Sequence, residues 1–195
     1  MIQLYSGGLM SEVTKKAMVY ALKDVLKTKP FNKVTVSDIT NACGMNRMTF
    51  YYHFQDIYAL LEYAIMSEFS KTLAGNKTAS TWQQGLGNIL LTALDNKDFV
   101  TNAYHSLGRE KVEKYLSDVV FSLTYSVVDE ESKGMSVSED DKKFIAEFYK
   151  YALIGLVLDW VKNSMMEDYR ILLKRFETIL NGETKTALNR FRVDS

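Results

Sequence analysis

Proline occurs once in this chain, at Pro30, in 195 residues. Proline lacks a backbone donor and clashes with the preceding helical turn, so its near-absence removes the commonest obstacle to long helices. Apolar residues recur with a helical period, and no period-2 strand pattern is evident. The expected fold class is therefore all-α. Hydrophobic side chains make up 47% of the chain and aromatic ones 12%, enough to fill a core. The single cysteine, Cys43, excludes an intramolecular disulfide and points to a reduced, cytoplasmic setting. No signal peptide is evident, and the most apolar stretch, Tyr151 to Val161, contains Asp159 and is too short for a bilayer. Membrane attachment is not expected.

Helical spacing divides the chain as follows. Met1–Leu9 is uncharged and without a clear period, and reads as a leader or flexible extension. Residues 10–56 form a small head. A helix over Thr14–Thr28 carries Ala17, Met18, Ala21, Leu22, Val25 and Leu26 on one face and stops before Pro30. Thr35 and Asp38 have the spacing of a capping box, opening a short helix from Val36 to Cys43. Gly44 stands where a left-handed cap is wanted, and Asn46 can cap a second short helix that ends near His53. Asp56 can cap a helix over Ile57–Leu73, which opens a body of residues 57–195.

Body helices are expected at Thr81–Leu94, Phe99–Leu107, Arg109–Val128, Asp140–Ser164 and Glu167–Leu180. Loops are expected at Gly75–Ser80 and Asp129–Ser138, and a fraying tail after Gly182.

Net charge is formally zero, with 24 basic and 24 acidic side chains, which by itself speaks against nucleic acid. The distribution reverses that inference. Residues 11–56 carry seven bases (Lys15, Lys16, Lys23, Lys27, Lys29, Lys33, Arg47) and four acids (Glu12, Asp24, Asp38, Asp56), so the remainder is acidic. The basic excess lies in the small head.

The segment Thr35–Phe54, TVSDITNACGMNRMTFYYHF, places a capped helix, a glycine turn and a second helix in succession. That order is a helix-turn-helix, in which the second helix presents its N-terminal residues to base edges. Val36, Ile39, Ala42, Met45 and Phe50 are the candidate core, with Phe54 turned inward. Arg47 can reach guanine O6 and N7 or a phosphate. Thr49 offers a hydroxyl and a methyl, and Tyr51, Tyr52 and His53 can donate to phosphate oxygens. Thr35, Ser37, Asn46 and Met48 complete the candidate DNA-binding set.

Thr49-Phe50-Tyr51-Tyr52-His53-Phe54, following a Thr-x-x-x-Ile-x-x-x-x-Gly helix, closely resembles the signature of the TetR family of bacterial transcriptional regulators. The resemblance runs from Lys15 to about Ala64. It implies a homodimer with two DNA-binding heads and a helical body that takes an effector. By position it makes Arg47, Met48 and Thr49 base-facing and Tyr51, Tyr52 and His53 phosphate-holding. The family's usual phosphate-gripping lysine at the start of the fourth helix is here Ile57, which shifts that duty toward Lys33 or the first helix. Tyr149–Met166, with Gly155 and Trp160, resembles the corresponding part of the DhaS-type subgroup.

The resemblance implies that the last two helices pair with those of a second copy. Ile154, Gly155, Leu158, Trp160, Val161, Leu172, Phe176 and Ile179 are the candidate interface, with Gly155 permitting close helix approach. Candidate effector-lining residues are Trp82, Tyr104, His105, Phe121, Tyr125, Phe148 and Tyr151. No cofactor, metal or catalytic residue is expected: two histidines and one cysteine show no ligand spacing, and no phosphate loop or nucleophile motif occurs. The expected function is that of a DNA-binding regulator, a repressor, which binds a near-palindromic operator as a dimer and responds to a small molecule or a signalling partner protein. The alternatives are a DhaS-type activator and a helical protein-interaction adaptor.

Overall fold

The computed structural model describes residues 3–73 and 78–193. Met1, Ile2, Ala74–Lys77, Asp194 and Ser195 lie outside the described residues, and with them most of the loop expected at Gly75–Ser80. Ten α-helices and one 3₁₀ turn follow one another, with no strand among the described residues.

Helix α1 (Gln3–Val25) begins well before the expected Thr14. Its helical backbone runs through most of the segment set apart as a leader or flexible extension: no proline interrupts it, and propagating an existing helix is far easier than nucleating one. Met18, Val19, Ala21, Leu22 and Leu26 are buried as their spacing requires. Pro30 then caps a single 3₁₀ turn, η1 (Phe31–Lys33), whose Phe31 enters the core.

Helices α2 (Val36–Ala42) and α3 (Arg47–His53) are each seven residues long. Helices this short are not stable alone, so their ends and their packing must hold them. Thr35 caps α2: Asp38 N donates to Thr35 Oγ1 at 3.2 Å, and Thr35 N donates to the Asp38 carboxylate at 2.7 Å. Lys29 donates to the same carboxylate at 2.6 Å. With the Lys29 ammonium first and the Thr35 donors next, the Asp38 carboxyl is held down at about 2. Its support of the head is therefore present above its ordinary value near 3.8 and is lost as pH falls toward about 2. Thr35→Ala is expected to destabilise the protein by about 1 kcal/mol at neutral pH, measured by urea unfolding.

Gly44 takes φ +66°, which lets the chain reverse between α2 and α3. Asn46 caps α3 by accepting from Thr49 N at 2.8 Å. Ile39 and Phe50 are fully buried, with Val36 and Met45 packed against them. Ala42, expected in this core, is exposed instead: α2 is too short to bury more than one stripe.

Helix α4 (Ile57–Leu73) starts at the Asp56 cap, where Ala59 N donates to Asp56 at 2.8 Å, and leads out of the head. Around it stand α5 (Trp82–Asp95), α6 (Lys97–Leu107), α7 (Arg109–Glu131), α8 (Glu139–Lys162) and α9 (Tyr169–Leu180). Helices α7 and α8 make the most extensive contact in the fold. They run antiparallel, because Arg109 at the start of α7 pairs with Asp159 near the end of α8, while Lys142 pairs with Asp129 at 3.5 Å at the other end.

The tail after Gly182 does not fray as expected. It forms α10 (Glu183–Arg190), which lays the fully buried Leu188 against Val128, Ile145 and Ala146. Val193 N also donates to Ser136 O at 3.0 Å. One leucine among polar neighbours gives no periodic signal, yet it is enough to dock the helix.

Candidate nucleic-acid interface and interior cavity

Phe50 is the anchor of the head's outer face. Its ring is fully buried and meets Tyr51 edge-on at 5.6 Å and Phe54 at 5.9 Å. With Phe50 facing inward, the 100° step per residue turns its neighbours outward. Met48 is 79% exposed, Tyr52 83% and Tyr51 49%, a degree of exposure that apolar packing does not explain. Arg47 is exposed and makes no ion pair with any described residue. His53 is half-buried and stacks edge-on to Tyr52 at 4.9 Å.

All nine candidate DNA-binding residues thus lie on α3 and its cap, or on the cap and first turn of α2. Thr35 and Asn46 are exposed caps, and Ser37 and Thr49 are half-buried. The Thr49 hydroxyl donates to the Asn46 side chain at 3.0 Å. Lys33 is exposed on the adjoining turn. Ile57 is half-buried against the core, so this position serves packing. Cys43 is half-buried too; burial pushes its thiol up, away from the reactive thiolate.

In the body, one interior cavity of about 70 Å³ lies among α4, α5, α6, α7 and α8. Its walls are mainly aliphatic, with Ile65, Ile89, Phe99, Val112, Leu116 and Val157 among them. Of the seven candidate effector-lining residues only Tyr104 borders it. Trp82 lines a separate, smaller recess among α5, α7 and α8. Phe121 and Tyr125 stack at 5.7 Å in the second core, beside α10. His105 is exposed, as are Phe148 (65%) and Tyr151 (55%). The seven therefore do not converge. Aromatic identity singled them out, whereas the cavity is walled by aliphatic side chains that look like ordinary core.

The candidate interface residues also fall differently. Ile154, Leu158, Trp160, Val161, Leu172 and Phe176 are all buried within the chain itself, and Leu158 and Val161 wall the cavity. Trp160 Nε1 donates to Glu167 O at 2.8 Å, inside the α8–α9 turn. Gly155 is not a point of close helix approach: a Cβ there would meet only Arg109 at 3.8 Å. The close approach is at Gly87 of α5, where a Cβ would meet Leu173 of α9 at 3.2 Å. Only Ile179 remains on the outside, at 66% exposure. It is joined there by Ile171 on α9 and by Phe148, Tyr151 and Leu156 on α8.

Among the described residues there is no group of His, Cys, Asp and Glu that could hold a metal ion, and no helix long and apolar enough to cross a membrane.

Comparison with known proteins agrees with this geometry. Residues 21–64 match the family described as bacterial regulatory proteins, tetR family, and residues 80–182, just over half the chain, match its transcriptional regulator C-terminal region. The HTH-type dhaKLM operon transcriptional activator DhaS of Lactococcus lactis is 25% identical over 147 residues, covering 75% of this chain and 78% of that protein. Among solved structures, the dihydroxyacetone kinase operon activator DhaS superposes with a TM-score of 0.70 at 20% identity, over 93% of this chain and 99% of that one. The repressor AlkX from Dietzia sp. superposes with a TM-score of 0.58 at 14% identity, over 89% and 96% of the two chains. NalD, the secondary repressor of the MexAB-OprM efflux pump in Pseudomonas aeruginosa, gives 0.56 at 14% identity, over 95% and 99%.

Proposed function

Because the chain belongs to the TetR family of bacterial transcriptional regulators, we propose that it binds a near-palindromic operator as a homodimer, with one α3 in each of two major-groove half-sites. Members of this family are DNA-binding regulators rather than enzymes. The observation that carries the reading is the outer face of α3: an Arg47 in no ion pair among the described residues, beside exposed Met48, Tyr51 and Tyr52, held by the buried Phe50. An adaptor without DNA binding has no use for that face.

Two copies meet through the outer stripe of α8 and α9, at Phe148, Tyr151, Leu156, Ile171 and Ile179. These side chains are apolar, exposed and uninvolved in the protomer's own core. A two-fold contact of this kind sets the heads one helical turn, or a multiple of it, apart. Dimerisation thereby replaces the buried set first expected. The cavity takes the effector.

Selection from a random duplex library at moderate salt tests the reading. Wild type is expected to enrich an inverted repeat, and Tyr51→Ala/Tyr52→Ala is not. Enrichment of the same repeat by both would remove α3 from the interface. Arg47→Ala is expected to cost about 1–3 kcal/mol on the selected operator and less on unrelated sequence. Equal loss on every duplex would make Arg47 a phosphate contact.

The sign of regulation has two readings. Repression is the expectation from blocking a promoter. Activation is favoured by the DhaS similarity, since that relative is an activator. A reporter fused to the selected operator separates them: deleting the regulator raises expression under repression and lowers it under activation.

A further inference from the structure

The cavity wall and the head share one polar cluster. Lys23 of α1 donates to Asn96, between α5 and α6, at 2.9 Å, and pairs with Glu68 of α4 at 3.1 Å. Its ammonium also stands 5.5 Å from the ring of Phe99 on α6. Glu68, Asn96 and Phe99 all line the cavity. Side chains of Lys23 and Glu68 are only 17% and 25% exposed, so water screens the pair weakly.

The cluster is closed to a ligand. Glu68 gives one carboxylate oxygen to Lys23 and the other to Lys71 at 3.2 Å. The Asn96 amide donates to Thr92 O at 2.9 Å, while its oxygen accepts from Lys23. The Thr72 hydroxyl donates to Glu68 O at 2.8 Å. The one buried side-chain polar atom without a partner among the described residues, Thr101 Oγ1, does not line the cavity. A charged ligand would find no free counter-charge and would carry its full desolvation cost.

We propose that the cavity takes a small, uncharged, apolar molecule, and that Lys23, through Glu68, Asn96 and Phe99, is the residue by which the head registers that it is filled. The proposal rests on the effector reading of the cavity given above and adds the ligand's class and the route. At about 70 Å³ the space is less than half the roughly 150 Å³ that holds benzene in a known apolar cavity, so the occupant has only a few heavy atoms. An occupant packed on Phe99 and beside Asn96 steadies the two groups that Lys23 grips. It thereby stiffens α1 against α6. Lys23 then acts as a positioning residue that touches no ligand.

Xenon is the probe, because it is uncharged, apolar and small. The full-length protein, methyl-labelled at Ala and Val, is pressurised with xenon and followed by methyl NMR and by amide exchange, with no DNA present. Shifts are expected at Ala93, Ala103 and Val157, together with about twofold slower exchange in α1–α3. In Lys23→Met the methyl shifts are expected to persist while the change in the head disappears. Ala103→Leu, or the milder Val157→Ile should the first not fold, is expected to abolish both. Absent methyl shifts in wild type, or an unaltered head response in Lys23→Met, overturns the proposal. Since no operator enters the measurement, a failed duplex selection and a failed xenon titration remain separate results.

Discussion

Glutamate at both Leu156 and Ile179 is expected to yield a folded monomer whose operator affinity is lower by about 10²–10⁴-fold, the avidity two linked heads supply. Leu156 is 49% exposed and Ile179 66%, so neither side chain holds the protomer together. Placed in a symmetric contact, each substitution instead buries an unpartnered charge on both sides of the interface. Sedimentation and operator titration check the result. A dimer of wild-type affinity would move the interface off this stripe. Glutamate at Leu158 is expected to behave differently, because that side chain is 2% exposed inside the chain and its loss unfolds the body.

Phe50→Ala is expected to destabilise the protein by about 3–5 kcal/mol, the range for emptying a fully buried phenylalanine site. The consequence is greatest for the head. Helices α2 and α3 have seven residues each and owe their existence to caps and to this ring. Removing it takes away the support under Tyr51 and Phe54, so operator binding is lost even where the body stays folded. Tyr52→Ala is the contrasting variant. Its side chain is 83% exposed, so stability should stay within about 0.5 kcal/mol while DNA affinity falls. Urea unfolding beside operator titration separates the two effects. A similar stability loss in both variants would mean that α3 is not organised around Phe50.

The head was legible because its determinants are local. Thr35 and Asp38 stand three residues apart, as do Asn46 and Thr49, and Gly44 stands where the chain must turn; each spacing is a bond or a backbone conformation within one turn of helix. Sequence spacing is therefore already spatial geometry. Ala42 was misplaced because α2 ends before a second apolar stripe can face inward.

The body resisted the same treatment for a definite reason. Helix α8 carries apolar side chains around nearly its whole circumference, so periodicity cannot say which of them face inward. Leu158 and Phe148 look alike in sequence; one walls the cavity and the other faces outward. Likewise Leu188 docks α10 only because Val128 and Ile145, from two distant helices, leave a place for it.

By itself, then, the sequence determined an all-helical chain with a capped, glycine-turned helix pair in a head of basic excess, because caps, turns and amphipathic stripes act across a few residues. The tertiary structure alone decided which apolar face of α8 is core, where five helices leave a cavity, and that Lys23 of the head reaches Glu68 and Asn96 at its wall. Those outcomes depend on side chains as distant in the chain as Ile65 and Val161 being brought together, and no local pattern encodes which of many apolar surfaces will meet.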